Sequence, residues 1–236
     1  MAVHVFHTND FHNRLTETGE QRIREALEAV GDEPFLLLDA GDAIKAGNLG
    51  VTPGGEPILR RMTGLGYNAM TIGNRETHPN RTLFGAKVAD AGFPILCANM
   101  RPQRGGDLPV QSHVVLERAG IRFGIFGITV PMVTERQAVK VAWDMLFDDP
   151  IATAQRVCAQ LRPECDALVA LTHIGHNADC KLADAGLGID LIISGHTHLV
   201  LEKPVLVNSI PIVQTGSHGR YLGYCRWDGT GFEDFR

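Results

Sequence analysis

Residues 3–12 read VHVFHTNDFH, an apolar run that is followed at once by Asp10 and His12. The same arrangement recurs four times, because an apolar run of strand length ends each time in a short polar cluster. The later clusters are Gly41-Asp42, Gly73-Asn74, Thr172-His173 and Gly195-His196-Thr197-His198. In an open α/β sheet, ligands bind in the crevice beyond the carboxyl ends of the strands. The repeated pattern therefore predicts one site that is assembled from five strand ends.

The polar clusters supply side chains that bind metals. They are Asp10, His12, Asp42, Asn74, His173, His196 and His198. Carboxylate, amide and imidazole donors together favour Mn, Fe, Zn, Ni or Co over Ca. Asp10 and His12 are two residues apart, so in an extended segment both side chains would face one ion. Asp42 has two carboxylate oxygens that can bridge a pair of ions. We therefore predict a cofactor of two divalent transition-metal ions.

A pair of metal ions predicts a reaction. Two ions roughly 3.5–4 Å apart lower the pKa of a shared water and clamp phosphoryl oxygens. The seven side chains thus predict hydrolysis of a phosphoester by a metal-bridging hydroxide, without a side-chain nucleophile. Any one of the histidines alone would be better explained as an ordinary core or loop residue. The five clusters together, in this order, are what indicate the metal site.

Composition excludes several classes of protein. The chain has 236 residues, of which 44% are hydrophobic and 21% charged, as in globular domains. A net charge of −5 gives no basic surface for duplex nucleic acid, so none is expected as a partner. There is no apolar run of membrane-span length and no signal sequence, which predicts no membrane association and a cytoplasmic location. The five cysteines form no CxxC pair and are predicted to be reduced thiols.

Strand and helix patterns alternate through most of the chain, which predicts an α/β fold. Apolar residues at i, i+3, i+4 and i+7 predict an amphipathic helix over residues 19–30. Asp149-Pro150 is typical of a helix start, with Asp as the cap and Pro at the first helical position. The other predicted helices span 55–65, 80–91 and about 178–185. Strands are predicted at 34–39, 67–72, 93–98, 166–172 and 189–194, with a hairpin of 110–116 and 121–129.

These motifs resemble those of the calcineurin-like metallophosphoesterase superfamily. The nearest branch is the catalytic domain of bacterial 5′-nucleotidases and cyclic-nucleotide phosphodiesterases. Further similarity lies in Asn208, Gln214-Thr215-Gly216 and Tyr221-Leu222-Gly223. The resemblance implies a four-layer α/β/β/α sandwich of two mixed sheets flanked by helices. It assigns one metal to Asp10, His12, Asp42 and His198, and the other to Asp42, Asn74, His173 and His196.

The sequence departs from the family pattern at Arg75. The family usually has a histidine directly after the motif asparagine, where it stabilises the transition state or protonates the leaving group. Arginine supplies a permanent charge and a bidentate fork for phosphate, but it cannot deliver a proton near neutral pH. His78 is the candidate for the proton-donating role. The alternative for Arg75 is a structural ion pair with Glu76 or Asp10.

The remaining expectations concern the substrate. Residues 1–236 form a single catalytic domain in this interpretation, without the C-terminal domain whose aromatic residues stack on the base in secreted 5′-nucleotidases. Selectivity among nucleobases is therefore expected to be modest. His176 and Asn48 are candidates for substrate contact beside Arg75, whereas His218 is a weaker candidate. The segment 131–147, which contains Trp143, forms either part of the substrate wall or a plain surface connection.

The sequence therefore favours a metal-dependent phosphoesterase that acts on phosphomonoesters or phosphodiesters of small molecules, with nucleotides among the candidates. Two alternatives stay open. The first is a catalytically impaired protein that binds metal and phosphate, because Arg75 replaces a residue of the family's machinery. The second is a hydrolase of a non-phosphate ester, such as a thiosulfate ester.

Overall fold

Two six-stranded mixed sheets form the middle of the protein. The computed structural model describes residues 2–236. The two sheets pack face to face, and helices cover the outer face of each. The predicted four-layer α/β/β/α sandwich is thereby confirmed.

The first sheet has a parallel centre. Its parallel strands are β1 (Val3–Thr8), β2 (Phe35–Asp39), β3 (Ala69–Thr71) and β4 (Ile95–Leu96). On the other side of β1 lie two antiparallel strands, β13 (Gly223–Trp227) and β14 (Phe232–Glu233). Thr8 pairs with Asp39 in the ladder. The ends of β1 and β2 are therefore level, and the loops that carry Asp10 and Asp42 begin side by side.

The second sheet also has a parallel centre, with a hairpin at each edge. The parallel strands are β7 (Ile121–Thr129), β9 (Ala167–His173), β10 (Leu191–Ser194) and β12 (Ile210–Val213). The antiparallel edge strands are β6 (His113–Arg118) and β11 (Val205–Val207). Thr172 pairs with Ser194 in the ladder. This register brings His173, the last residue of β9, and the histidines that follow β10 to the same end of the sheet.

The predicted hairpin between β6 and β7 is present, but its turn is tighter than the sequence indicated. Glu117 and Arg118 belong to β6, and only Ala119 and Gly120 form the turn. Both have positive φ, 52° and 78°. Two positive φ values in a two-residue loop match the right-handed twist of the flanking strands. The strand begins at His113, three residues later than predicted.

Five α-helices cover the sheets. They are α1 (Glu17–Ala29), α2 (Pro57–Leu65), α3 (Arg81–Val88), α4 (Pro150–Leu161) and α5 (His176–Asp184). The predicted start at Asp149-Pro150 is confirmed, because Asp149 Oδ1 accepts a hydrogen bond from the N–H of Ala152 at 2.8 Å. Helices α1 and α5 each begin about two residues earlier than predicted. None of the helices within residues 2–236 is long and apolar enough to cross a bilayer.

The core follows the alternation of the strands. Val3 and Val5 on β1 are fully buried between the two sheets, whereas Phe6 packs beneath the helices. On β2, Leu36 and Leu38 face the other sheet and the intervening leucine faces the helices. Successive side chains on a strand point to opposite faces. Each central strand thus contributes to two cores, which explains why residues 35–38 of β2 are continuously apolar rather than alternating.

A small two-stranded sheet was not predicted. β5 (Met100–Pro102) pairs antiparallel with β8 (Met145–Phe147). Strands of three residues are too short to show a period in the sequence. Trp143, which precedes β8, is only 8% exposed and packs edge-to-face on Phe147. The assignment of Trp143 to a substrate wall is therefore wrong, because its ring belongs to the core.

The contact between the two sheets can be tested at Gly127 on β7. A Cβ added there would lie 2.6 Å from the backbone oxygen of Leu96 on β4, so the sheets would have to separate. We expect Gly127→Ala to lower the free energy of unfolding in urea by about 1–3 kcal/mol.

Gly64→Ala on α2 is the matched control. A Cβ at Gly64 meets nothing within 4 Å, and alanine favours a helix by up to about 1 kcal/mol. Equal denaturation midpoints for the two variants would contradict this account of the sheet contact.

Candidate metal centre

The carboxyl ends of β1, β2, β3, β9 and β10 meet at one edge of the sandwich, and the predicted ligands lie there. The first group of donors is formed by Asp10, His12 and His198. Asp10 Oδ1 lies 3.1 Å from His198 Nε2 and 3.5 Å from His12 Nε2. The two imidazole Nε2 atoms are 2.9 Å apart. Three donor atoms thus converge on one point.

The second group is formed by Asp10, Asp42 and His173, all of which are buried. His173 Nε2 lies 3.6 Å from Asp42 Oδ1 and 4.0 Å from Asp10 Oδ1. The other oxygen of Asp42 is 3.9 Å from His12 Nδ1. Asp42 therefore presents one oxygen to each group, while Asp10 Oδ1 lies between them.

Asn74 and His196 adjoin the second group. Asn74 Oδ1 is 3.2 Å from His196 Nδ1, and the rings of His196 and His173 have centroids 5.1 Å apart. His196 belongs to the histidine loop, residues 195–199, which also carries His198. The structure thus brings all of the predicted ligand side chains into one cluster.

The backbone that presents these ligands is unusual. Asp10 and His12 have positive φ, 53° and 48°, and so do Asp42, His196 and His198. The extended segment that was predicted beyond β1 is wrong, because β1 ends at Thr8 and the chain then adopts left-handed conformations. Positive φ is uncommon for residues other than glycine, and such residues concentrate at functional sites. The convergence of Asp10 and His12 therefore comes from a turn rather than from strand alternation.

Two glycines are required by close approach of the backbone. A Cβ at Gly73 would clash with the carboxylate of Asp42 and lie 2.6 Å from its backbone nitrogen. A Cβ at Gly195 would lie 2.6 Å from the Ala40 carbonyl oxygen and 2.7 Å from His173 Nδ1. Only glycine fits at either position. This explains why Gly73 precedes Asn74 and why Gly195 precedes His196.

Glu76 joins two of the ligand-bearing loops. Its carboxylate is fully buried and accepts hydrogen bonds from the N–H groups of Gly73, Asp42, Ala43 and Ile44, at 2.7, 3.1, 2.9 and 3.3 Å. Burial raises the pKa of Glu76, and the charge of Asp42 raises it further. The sequence indicated Glu76 only as a partner for Arg75, since nothing in a short polar run marks a glutamate as buried.

Asn9 holds Asp10 in place and was also missed. Its Nδ2 donates to Asp10 Oδ2 at 2.8 Å and to the Gly216 carbonyl at 2.6 Å. Its Oδ1 accepts from the N–H and hydroxyl of Thr215, at 2.9 and 2.7 Å. The N–H of His196 also donates to Asp10 Oδ2, at 2.9 Å. One oxygen of Asp10 is thereby fixed, and the other is left for a ligand.

The donor atoms fit a bound cation. Asp10 Oδ1, His12 Nδ1 and His173 Nε2 are buried polar atoms with no hydrogen-bond partner among the described residues. Such atoms are costly to bury unless a partner satisfies them. His173 Nδ1 donates to the Ala40 carbonyl at 2.7 Å, which leaves Nε2 without a proton and aimed at Asp42. A ring held in this way by a backbone carbonyl is typical of a metal-binding histidine.

The electrostatics of the cluster favour the ligating forms. Burial raises the pKa of Asp10, but the neighbouring imidazoles of His12 and His173 outweigh it, so the pKa lies below its ordinary value. Burial lowers the pKa of His196, and His173 lowers it further. At neutral pH the carboxylate is therefore ionised and the imidazole of His196 is neutral, which are the forms that bind metals.

A second buried network supports the histidine loop. Asp179 Oδ2 accepts a hydrogen bond from the hydroxyl of Ser194 at 2.5 Å. Gln214 donates to the same hydroxyl at 3.4 Å, and its Oε1 accepts from Thr197 Oγ1 and from the N–H of Leu199, both at 2.9 Å. Burial raises the pKa of Asp179 to about 6. The loop is therefore anchored from below by side chains of α5 and of the segment after β12.

Arg75 has a different partner from those considered in the sequence. Its Nη1 donates to the Lys45 carbonyl at 3.0 Å, and its Nε lies 3.9 Å from Asp42 Oδ2. Its backbone N–H donates to Asp42 Oδ1 at 2.8 Å. The nearest carboxylate is thus that of Asp42, not Glu76 or Asp10, and the guanidinium stands at the edge of the cluster.

The other predicted substrate residues make no hydrogen bond to the cluster in the described chain. His78 Nδ1 accepts from the N–H of Asn80 at 3.0 Å, so the neutral ring carries its proton on Nε2. Burial and the charge of Lys87 lower the pKa of His78. Asn48 is exposed in the loop after β2, and His176 opens α5.

His218 lies closer to the cluster than the sequence indicated. Its ring centroid is 5.2 Å from that of His12 and 5.9 Å from that of His198. Its backbone N–H donates to the Asp10 carbonyl at 2.8 Å. Burial lowers the pKa of His218, and the charge of Arg14 lowers it further. His218 therefore forms one wall of the site.

Comparison with known proteins agrees with this geometry. The profile of the family described as calcineurin-like phosphoesterase matches residues 3–200. The chain belongs to the calcineurin-like phosphoesterase family. Proteins of this family use divalent metals, and the groups of candidate ligands described above supply donors for them.

Relatives of this phosphoesterase-family chain are longer than the chain itself. The trifunctional nucleotide phosphoesterase protein YfkN of Bacillus subtilis (strain 168) is 31% identical over 262 aligned residues, which cover 93% of this chain and 17% of YfkN. The 5′-nucleotidase of Vibrio cholerae serotype O1 is 30% identical, with 93% and 47% covered. The chain thus spans less than half the length of these two relatives.

A solved structure shows the same fold. A 5′-nucleotidase precursor from Thermus thermophilus superimposes on this family member with a TM-score of 0.82. The sequence identity is 23%, and the match covers 100% of this chain and 54% of the other.

Asp179 predicts how the metal-free protein responds to pH. Its pKa is raised in the folded state from 3.8 to about 6, so between these values the folded state holds a proton that the unfolded chain has lost. The contribution is fully present below the unfolded pKa and is lost as pH rises through 6. It amounts to roughly 3 kcal/mol, at about 1.4 kcal/mol per pKa unit.

We therefore expect Asp179→Asn to remove this part of the decline in the free energy of unfolding between pH 4 and pH 7, measured in urea with a chelator present. Asp32→Asn, at an exposed position, should leave the decline as in the wild type. Parallel pH profiles for the wild type and Asp179→Asn would contradict the assignment.

Proposed function

We propose that this chain is a dinuclear metal-dependent phosphoesterase that hydrolyses phosphomonoesters or phosphodiesters of small molecules, with nucleotides as the first class to test. The observation that carries the proposal is a cluster of carboxylate and imidazole donors in which three buried atoms have no hydrogen-bond partner within residues 2–236. Family membership supports the reaction type. The names of YfkN and of the 5′-nucleotidases support nucleotides as substrates.

The ligands divide into two sets in this proposal. Asp10, His12 and His198 would hold one divalent ion, and Asn74, His173 and His196 the other. Asp42 is the proposed bridge, because its two oxygens are directed to His173 and His12 respectively. When bound, such a pair of ions lowers the pKa of a water and neutralises charge on phosphoryl oxygens.

The chain's own residues prepare this site before substrate arrives. His173 is held in one tautomer by the Ala40 carbonyl, and Asp10 is held by Asn9 and by the N–H of His196. Groups that are already oriented need no reorganisation during the reaction, which makes their electrostatic effect larger. Arg75 adds a permanent positive charge at the edge of the cluster, where it would bind anionic phosphoryl oxygens.

The cysteines supply no nucleophile for a covalent mechanism. Cys97 and Cys158 are buried, and burial raises the pKa of each thiol to about 12. The reactive thiolate is then essentially absent at neutral pH. A water-derived nucleophile therefore fits the residues of this site better than a covalent enzyme intermediate.

The test is a substrate panel on protein that has been reconstituted with Mn²⁺ and analysed for metal. It contains p-nitrophenyl phosphate, bis(p-nitrophenyl) phosphate, nucleoside monophosphates and a thiosulfate ester. Turnover of the phosphate esters supports the proposal. Metal-loaded protein that cleaves none of them is a binding protein, and cleavage of the thiosulfate ester alone would identify a different hydrolase.

Loss of Asp42 should affect both metals at once. We expect Asp42→Asn to reduce bound Mn²⁺ from about two equivalents to one or fewer, because an amide is a weaker ligand and carries no charge. Hydrolysis of p-nitrophenyl phosphate should fall by 10²-fold or more.

His113→Ala, on β6 at the far edge of the second sheet, is the control and should keep both metal and rate. His218 is unsuitable as a control because its ring lies 5.2 Å from that of His12. Normal metal content and rate in Asp42→Asn would exclude the bridging role.

Arg75→Ala should leave the metals in place and weaken catalysis. The hydrogen bond to Asp42 comes from the Arg75 backbone and survives the change, whereas the side chain only approaches that carboxylate to 3.9 Å. We expect kcat/KM to fall by roughly 10²-fold, as for the loss of one charge-stabilising donor. Arg75→Lys should recover only part of this, since lysine lacks the bidentate fork.

Arg104→Ala, at an exposed position outside the site, controls for the loss of a positive charge. If Arg75→Ala kept wild-type kinetics with full metal content, Arg75 would have a structural role only.

A further inference from the structure

A groove opens beside the candidate metal centre, on the side of His196. It lies between the start of α5 and the histidine loop, and it has a volume of about 440 Å³. Cavities of 300–1,000 Å³ are typical of small-molecule sites. His196 is both a wall of this groove and a proposed metal ligand. Any part of a substrate that extends from a phosphoryl group at the cluster toward α5 would therefore enter the groove.

The lining of the groove is partly aliphatic and partly polar. Ile174, Ala178 and Leu199 supply the apolar surface. Asn177 and His176 supply polar groups that converge on the same space. A lining of this kind fits an organic group that carries a few polar substituents.

The groove has little aromatic surface for a nucleobase. Its lining, as far as the chain is described, contains no Phe, Tyr or Trp, and its aromatic rings are the imidazoles of His176 and His196. Recognition of a base without hydrogen-bond readout depends on stacking against aromatic rings. Because His196 is a proposed metal ligand, His176 alone is left for stacking, and the groove therefore favours an aliphatic group over a nucleobase.

Lys181 gives the groove a charge. It lies on the exposed face of α5, lines the groove, and makes no ion pair within residues 2–236. Asp179, which is close in sequence, points into the buried network with Ser194 instead. An unpaired ammonium at the rim of a pocket, in a chain of net charge −5, attracts an anion to that position.

We propose that this groove holds the non-phosphoryl part of the substrate and that Lys181 binds a second anionic group on it. The substrate class is then an aliphatic phosphoester that carries a carboxylate or another phosphate a few bonds from the scissile group. The inference rests on the proposed phosphoesterase function, because it assumes that the scissile phosphoryl group lies at the metal cluster.

The test uses phosphonates, whose P–C bond is not a substrate for ester hydrolysis. Calorimetric titration of the Mn²⁺-reconstituted protein compares 4-phosphonobutyrate with butylphosphonate, which lacks the carboxylate. We expect 4-phosphonobutyrate to bind about tenfold more tightly, as for one partly exposed charge-assisted contact. Butylphosphonate should in turn bind about tenfold more tightly than methylphosphonate, because the groove buries its alkyl chain.

Lys181→Gln should reduce the ratio of the affinities for 4-phosphonobutyrate and butylphosphonate from about ten to about one. Lys203→Gln, which removes an exposed lysine that does not line the groove, should keep it near tenfold. Arg220→Gln tests the neighbourhood of His12 instead, since Arg220 lies two residues after His218, whose ring is 5.2 Å from that of His12.

Four outcomes would overturn the proposal, and the last of them concerns the alkyl chain. The wild type shows no preference for the carboxylate, or Lys181→Gln retains the preference, or Arg220→Gln abolishes it while Lys181→Gln does not. Equal affinity for methyl- and butylphosphonate would exclude the groove as the binding place of the alkyl chain. Failure of the proposed function is recognised separately, as a lack of phosphoester turnover, and the phosphonate titrations do not depend on turnover.

Discussion

Four backbone N–H groups donate to the buried carboxylate of Glu76, and the geometry of the candidate centre depends on this contact. The N–H groups belong to the loops after β2 and β3, which carry Asp42 and Asn74. A buried carboxylate is costly unless such donors surround it. Here the same contact also places two carboxylates side by side, and both burial and Asp42 raise the pKa of Glu76. A cation bound at Asp42 would relieve this repulsion.

The sequence allowed the architecture and the ligand set to be predicted because both depend on short-range patterns. Apolar runs of strand length mark buried strands, and the polar residue that ends each run must lie at the edge of the sheet. The helix start at Asp149 follows from capping chemistry that involves only neighbouring residues. β5, β8 and the burial of Trp143 could not be predicted in this way, since strands of three residues have no period. Their positions are set by contacts between distant parts of the chain.

The residues that position the ligands were beyond the reach of sequence patterns for a related reason. Asn9 holds Asp10 through Thr215 and Gly216, which are more than 200 residues away. Asp10 and His12 converge through left-handed backbone rather than through an extended strand. A polar residue next to a motif looks the same in the sequence whether its side chain points to solvent or into a buried network. Ligand identity is therefore visible in the sequence, whereas ligand orientation depends on tertiary contacts.

The hydrogen bond from His173 to the Ala40 carbonyl joins the second sheet to the first. The proposed ligands likewise come from both sheets, so bound ions would link the two sheets of the sandwich. The free energy of metal binding would then add to the folding stability of the whole sandwich and not to that of one layer. Sliding of one sheet over the other would require the ions to leave. Resistance to sliding of the two sheets, and hence to proteolysis at the edge of the site, would then be a property of the metal-bound protein.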